Sequence, residues 1–92
     1  MKMREVFIDF ETYYDGEYSL KKLTTIEFIK NSKFKVHGVA VKAGSSSFWF
    51  TFEDFLDWAR GGIRPDTLVV GHNLMFDAAI LRWVCGIEHE LF

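Results

Sequence analysis

Apolar and polar positions along this chain change period several times, and each change marks an element. Residues 4–11 read Arg-Glu-Val-Phe-Ile-Asp-Phe-Glu, a strand whose apolar Val6, Phe7, Ile8 and Phe10 occupy both faces. That pattern predicts a central strand of an α/β sheet, covered on both sides. Residues 12–19 are polar and turn-like, broken at Asp15-Gly16. Leu23, Ile26, Phe28 and Ile29 predict a short helix over 22–30, with Thr24 or Thr25 as its cap. Residues 34–42 form a second strand, Ala43-Gly44-Ser45 a turn, and Ser46–Phe50 a third strand, so that the pair reads as a hairpin.

From Thr51 the period becomes helical. Thr51 or a neighbour can cap, and Glu53 and Asp54 fall in the first turn, where the helix dipole favours acids. Phe52, Phe55, Leu56 and Ala59 share one face, and Gly61-Gly62 end the helix. Pro65-Asp66 is a turn, 67–71 a buried strand, and His72-Asn73 leads into a last helix over 74–84 that stops near Gly86. The order is strand, short helix, hairpin, helix, strand, helix, without repeats, low-complexity stretches or linkers. It fits an α/β class built on a small mixed sheet.

Composition bounds what such a fold can be. Ninety-two residues make one domain at most, and 49% apolar side chains with a mean hydropathy of +0.02 exclude a disordered chain. A domain this small buries only roughly 60% of its unfolded surface, so its stability should be marginal. Ten Phe and three Trp make the core bulky for the length. Cys85 is the sole cysteine, which excludes an internal disulfide, argues against zinc and suits a reducing compartment. The opening Met-Lys-Met-Arg-Glu lacks the layout of a signal peptide, and no apolar run is long enough to span a bilayer. The expected location is the cytoplasm, bacterial or of a phage-infected host, with no membrane partner.

A net charge of −2 excludes a protein that grips duplex DNA along its length, so any nucleic-acid contact must be local. Five of the eleven basic residues fall between Lys21 and Lys35 (Lys21, Lys22, Lys30, Lys33 and Lys35). They read either as a solvated face or as an edge turned to phosphates.

The residues that can carry chemistry are acidic. Strand alternation puts Asp9 and Glu11 on one face with Phe10 on the other, and their Cα atoms stand roughly 6.5 Å apart, close enough to share a cation. They occupy the carboxyl end of their strand, where open α/β sheets hold ligands. A polar strand end meeting solvent would look the same. Asp77 is more telling, because Leu74, Asp77, Ile80, Leu81 and Val84 form one helical stripe facing the sheet. A lone carboxylate there costs several kcal/mol unless it is paired, protonated or bound to a metal, or sits at a rim eased by the helix N-terminus. His72 adjoins this region and reads as a hydrogen-bonded structural group, while His37 and His89 have no constellation around them.

Asp9-Phe10-Glu11-Thr12 and Gly71-His72-Asn73-Leu74-Met75-Phe76-Asp77 together resemble the first and second motifs of the DEDD exonucleases, the DnaQ-like branch of the ribonuclease H-like fold. The run 9–12, the strand over 34–41 and the junction over 70–77 look most like the exonuclease domains of phage-type family A DNA polymerases. The resemblance covers essentially the whole chain but not the whole family domain. It implies a ribonuclease H-like mixed sheet flanked by helices and still incomplete, with residues 1–92 forming the N-terminal portion of a proofreading 3′–5′ exonuclease domain. The reaction implied is two-metal hydrolysis of the phosphodiester at a DNA 3′ end, single-stranded or frayed, beside the remainder of a polymerase chain.

The resemblance also implies site roles. Two magnesium or manganese ions, roughly 3.5–4 Å apart, would activate water and stabilise the leaving 3′ oxygen. Asp9 would bridge both ions, Glu11 would hold the one carrying the attacking water, and Asp77 would hold the second, directly or through water. Thr12 and Asn73 match positions that contact the terminal nucleotide; Phe76 joins that substrate set, although core packing suits it better. The family's third motif, a Tyr or His followed by an Asp on a later helix, has no counterpart, since no Asp follows Asp77. The chain by itself is therefore expected to be inactive or nearly so, the missing base alone costing roughly 10²–10⁴-fold. The alternative expectation is a non-catalytic ribonuclease H-like module for nucleic-acid binding or assembly, dimerising through the face that the missing half would cover.

Overall fold

The computed structural model describes residues 4–92; the opening residues 1–3, part of the segment read as lacking a signal layout, lie outside the described residues. The spine of the fold is β1 (Arg4–Thr12), which pairs antiparallel with β2 (Val36–Ala43) from Val6 to Thr12. Its other edge pairs in parallel with β4 (Thr67–Val70), but only over Arg4 to Phe7. With β3 (Ser46–Phe50) hairpinned outside β2, the sheet has the order β3-β2-β1-β4 and is mixed. The protein is thus a small α/β fold.

Among the described residues, three helices complete it. α1 (Thr25–Lys30) has six residues, too few to persist alone. It is held by a capping box between Thr24 and Glu27 and by Phe28, whose ring stacks on Tyr18 at 4.2 Å. α2 (Phe52–Gly62) is capped by Thr51, whose hydroxyl accepts from the Asp54 amide at 3.2 Å. α3 (Leu74–Ala79) runs on into a π turn (Ile80–Val84), closed by the Cys85 amide donating to the Ile80 carbonyl at 3.0 Å. The helix expected over 74–84 therefore widens at its midpoint. The wider turn keeps Ile80 and Leu81 in the core and leaves Trp83 largely exposed.

All three helices feed one core. Val6, Ile8 and Phe10 of β1, with Val39, Val41 and Val69, meet Phe28, Phe55, Ala59, Phe76, Ile80 and Leu81. The reverse face of β1 is uncovered: Phe7 is 46% exposed, and Glu5, Asp9 and Glu11 share its side. This corrects the expectation of a strand buried on both faces and of helices flanking the sheet. Alternation is strict, and among the described residues no element packs on that side. Full burial of a Phe contributes roughly 1.5–3 kcal/mol, part of which Phe7 forgoes.

The last residues line the outer edge of β4. The Val69 amide donates to the Leu91 carbonyl at 3.0 Å, and His89 Nε2 bonds the Thr67 carbonyl at 2.6 Å. His89, isolated in the sequence, thus secures a strand edge. No helix among the described residues is long and apolar enough to cross a membrane.

Candidate carboxylate site

β4 stops opposite Phe7, so beyond that point the β4 side of β1 has no strand to pair with. The chain turns there through Gly71-His72-Asn73 into α3, and the helix's first turn delivers Asp77 to the gap. Asp77 Oδ1 accepts the otherwise unpaired Phe10 amide at 3.1 Å. A side chain thereby replaces a ladder bond between residues 67 positions apart. Gly71 makes the approach possible, because a Cβ there would stand 3.0 Å from Asp77 Oδ2 and 3.1 Å from the Ile8 carbonyl oxygen.

The helical stripe placed Asp77 on the packed face, and it is indeed only 1% exposed. Its Oδ2 is buried with no hydrogen-bond partner. Burial, followed by the nearby charges of Asp9 and Glu11, pushes its pKa up to about 6, while the Phe10 amide pulls the other way. Asp9 and Glu11 project from the uncovered face of β1. Glu11 is held above the ordinary carboxylate range, first by hydrogen bonding with Asp9, then by partial burial and by the Asp9 charge. The carboxylates therefore sense one another electrostatically.

By chemistry the set fits a hard divalent cation: every donor is a carboxylate oxygen, and the orphaned Oδ2 is a buried acceptor that a cation would satisfy. By geometry the set divides. Asp9 and Glu11 project side by side from the uncovered face of β1, whereas Asp77 is turned to the Phe10 amide. Among the described residues no three His, Cys, Asp or Glu side chains converge closely enough to hold a metal ion. Asp9 and Glu11 are thus the pair that could take an ion directly, with Asp77 behind them. Cys85 is no donor, since burial pushes its thiol up to about 12.

The other anticipated residues separate. Thr12, half-buried, and Phe76, buried, line one cavity of about 530 Å³ with Tyr14, Leu20, Lys22 and Phe28. Phe76 does pack in the core, edge-on to Phe28 at 5.6 Å, and also walls the cavity. Asn73 stands at the N-cap position of α3, exposed, and makes no side-chain capping bond. His72 is exposed and makes no side-chain hydrogen bond among the described residues. It lines a groove with Asp9 and Gly71, which corrects its reading as a bonded structural group.

The cavity wall formed by residues 13–22 was not foreseen. Asp15 organises it: Oδ1 accepts from the Glu17 and Tyr18 amides at 2.9 and 2.7 Å, and Oδ2 from the Tyr13 hydroxyl at 2.9 Å. Asp-Gly signals a turn, and an Asp accepting amides two and three residues ahead is the detail that could have been sought. Of the basic cluster, Lys22 pairs with Glu17 and Lys33 with Asp15, each at 3.4 Å. These exposed pairs add little stability. Lys21 and Lys22 border the cavity.

Comparison of the chain with family models, curated proteins and solved structures finds no match.

Proposed function

We propose that this chain carries the first and second motifs of a ribonuclease H-like, DnaQ-type 3′–5′ exonuclease domain of the proofreading kind. The observation that carries the reading is Asp77: a carboxylate 1% exposed, with one oxygen unpartnered, set beside the Asp9–Glu11 pair where β4 gives out. Keeping such a group against its desolvation cost is characteristic of functional sites. When bound, magnesium or manganese would supply an activated water and neutralise the leaving 3′ oxygen. Asp9 and Glu11 would hold the metal directly, and Asp77 would act from behind them. The cavity lined by Thr12 and Phe76 would receive the terminal nucleotide of a single-stranded or frayed DNA end, with Asn73 at its approach and Lys21 and Lys22 at its rim. The third motif would come from further polypeptide, in the manner of a polymerase-linked domain, in a bacterial or phage-infected cytoplasm.

A second reading, a non-catalytic module for nucleic-acid binding or assembly that dimerises through the surface its missing half would bury, is favoured by two observations. Asp77 is committed to the Phe10 amide, and no three ligand side chains converge among the described residues.

The test uses a 5′-labelled single-stranded oligonucleotide, manganese, and the protein together with polypeptide supplying the third motif. Stepwise shortening from the 3′ end that Asp9→Ala abolishes, with its melting curve unchanged, is the expected result. Undiminished shortening by Asp9→Ala would refute the metal assignment.

A further inference from the structure

The uncovered face of the sheet carries a second feature beside the carboxylates. In the β1–β2 register Asp9 stands opposite Ala40 and Glu11 opposite Gly38, and in the β2–β3 register Ala40 stands opposite Trp49. Opposed residues share a face, so Asp9, Ala40 and Trp49 form one row across three strands. The floor between them is made of the two smallest side chains available, Gly38 and Ala40.

The indole of Trp49 lies over Gly38: a Cβ there would fall 2.1 Å from its Cζ2. Gly38 is buried, yet Trp49 is 61% exposed. An aromatic ring over a strand glycine shields backbone, and that accounts for the side of the ring in contact. It leaves the rest of a large, positioned aromatic surface in solvent. Gly38 and Glu11 are directly opposed, so their Cβ positions are about 5 Å apart and the ring ends beside the carboxylate pair.

We infer that Trp49 is a stacking platform for a base of single-stranded nucleic acid, placing the strand across the open sheet face toward Asp9 and Glu11. The inference rests on the nuclease reading and names a binding residue for it. A base suits this position better than a phosphate does, because the neighbouring side chains are acidic and a stacked π-face carries no charge. A single-stranded ligand is required, since bases in a duplex present only their edges. Lys42, on the same face, is placed to meet the backbone of that strand.

The experiment uses the full chain with Trp58→Phe and Trp83→Phe, leaving Trp49 as the only tryptophan, titrated with oligothymidylate in calcium buffer. Saturable quenching of Trp49 emission is expected, with the Kd found by anisotropy of a labelled strand. Trp49→Ala should raise that Kd about tenfold, the effect of one lost stacking contact. Gly38→Ala, which forces the indole off its seat without removing it, should also raise Kd. Strand binding with Trp49 emission unchanged and Kd insensitive to Trp49→Ala would overturn the inference while leaving the nuclease reading intact. Failure of the strand to bind at all, together with no loss of shortening in Asp9→Ala, would overturn both.

Discussion

Replacing Asp77 by Asn should make this protein more stable at neutral pH, the reverse of what deleting a buried hydrogen-bonded group usually does. The Asp77 carboxyl titrates near 6 in the folded chain against an ordinary 3.8. Two pH units at about 1.36 kcal/mol each make the ionised form cost about 3 kcal/mol, trimmed to about 2 by relaxation around the charge. Asparagine keeps an oxygen for the Phe10 amide and removes the charge. The pH dependence has a definite sign. Below about pH 4 both folded and unfolded Asp77 are protonated, and the stability that the proton confers is fully present. Between about 4 and 6 the folded state binds more protons than the unfolded one, so stability falls as pH rises, and above 6 it is lost. Urea unfolding of both proteins from pH 4 to 7.5 should show a gap near zero at pH 4 that grows to about 2 kcal/mol in favour of Asn at pH 7. Taking the difference cancels carboxylates remote from Asp77, whereas Asp9 and Glu11, whose charges raise it, belong to the effect measured. Magnesium should narrow the gap at pH 7, because it stabilises only the folded form that binds it. A gap that is constant with pH, or that favours Asp at pH 7, would refute the reasoning.

Three smaller predictions follow from the same contacts. Gly71→Ala forces a Cβ to 3.1 Å from the Ile8 carbonyl oxygen, which cannot rotate away, and should destabilise by about 1–3 kcal/mol in thermal melts. Thr24→Ala removes the hydroxyl that accepts from the Glu27 amide, leaving only the bond from the residue-24 amide to the Glu27 carboxylate, and should cost about 1 kcal/mol, with amide exchange rising first in residues 25–30. Asp15 is held well below the ordinary carboxylate range, chiefly by the Tyr18 amide and then the Tyr13 hydroxyl, so its contribution is present at neutral pH and lost as pH falls below about 4. In Asp15→Ala the Glu17 and Tyr18 amides should exchange faster at pH 7 than in the parent, and the difference should shrink on acidification.

Much of this architecture is legible in the chain because local signals and burial agree. Thr24 and Thr51 cap where cap residues precede apolar periodicity, and the Asp77 stripe locates a buried acid without reference to any partner. What could not be read depends on distant geometry. Phe7 is as apolar as Ile8, and only the positions of the helices decide which of them is covered. The π turn follows from the fit of Ile80 and Leu81 to the sheet and has no breaker residue to announce it. The partner of Asp77 is a backbone amide freed by the shortness of β4, and His89 meets the carbonyl of Thr67; neither amide nor carbonyl has a letter in the sequence. The cavity beside Thr12 owes its wall to Asp15, which composition marks only as part of a turn.

The shared role of Asp9, Glu11 and Asp77 is tested most directly by crystals grown with manganese, read through the metal's anomalous scattering. A peak within coordination distance of Asp9 and Glu11 oxygens, with Asp77 facing it directly or through one water, is the result expected. Full manganese occupancy elsewhere, or none at millimolar concentration with Asp77 still bound to the Phe10 amide, would contradict it.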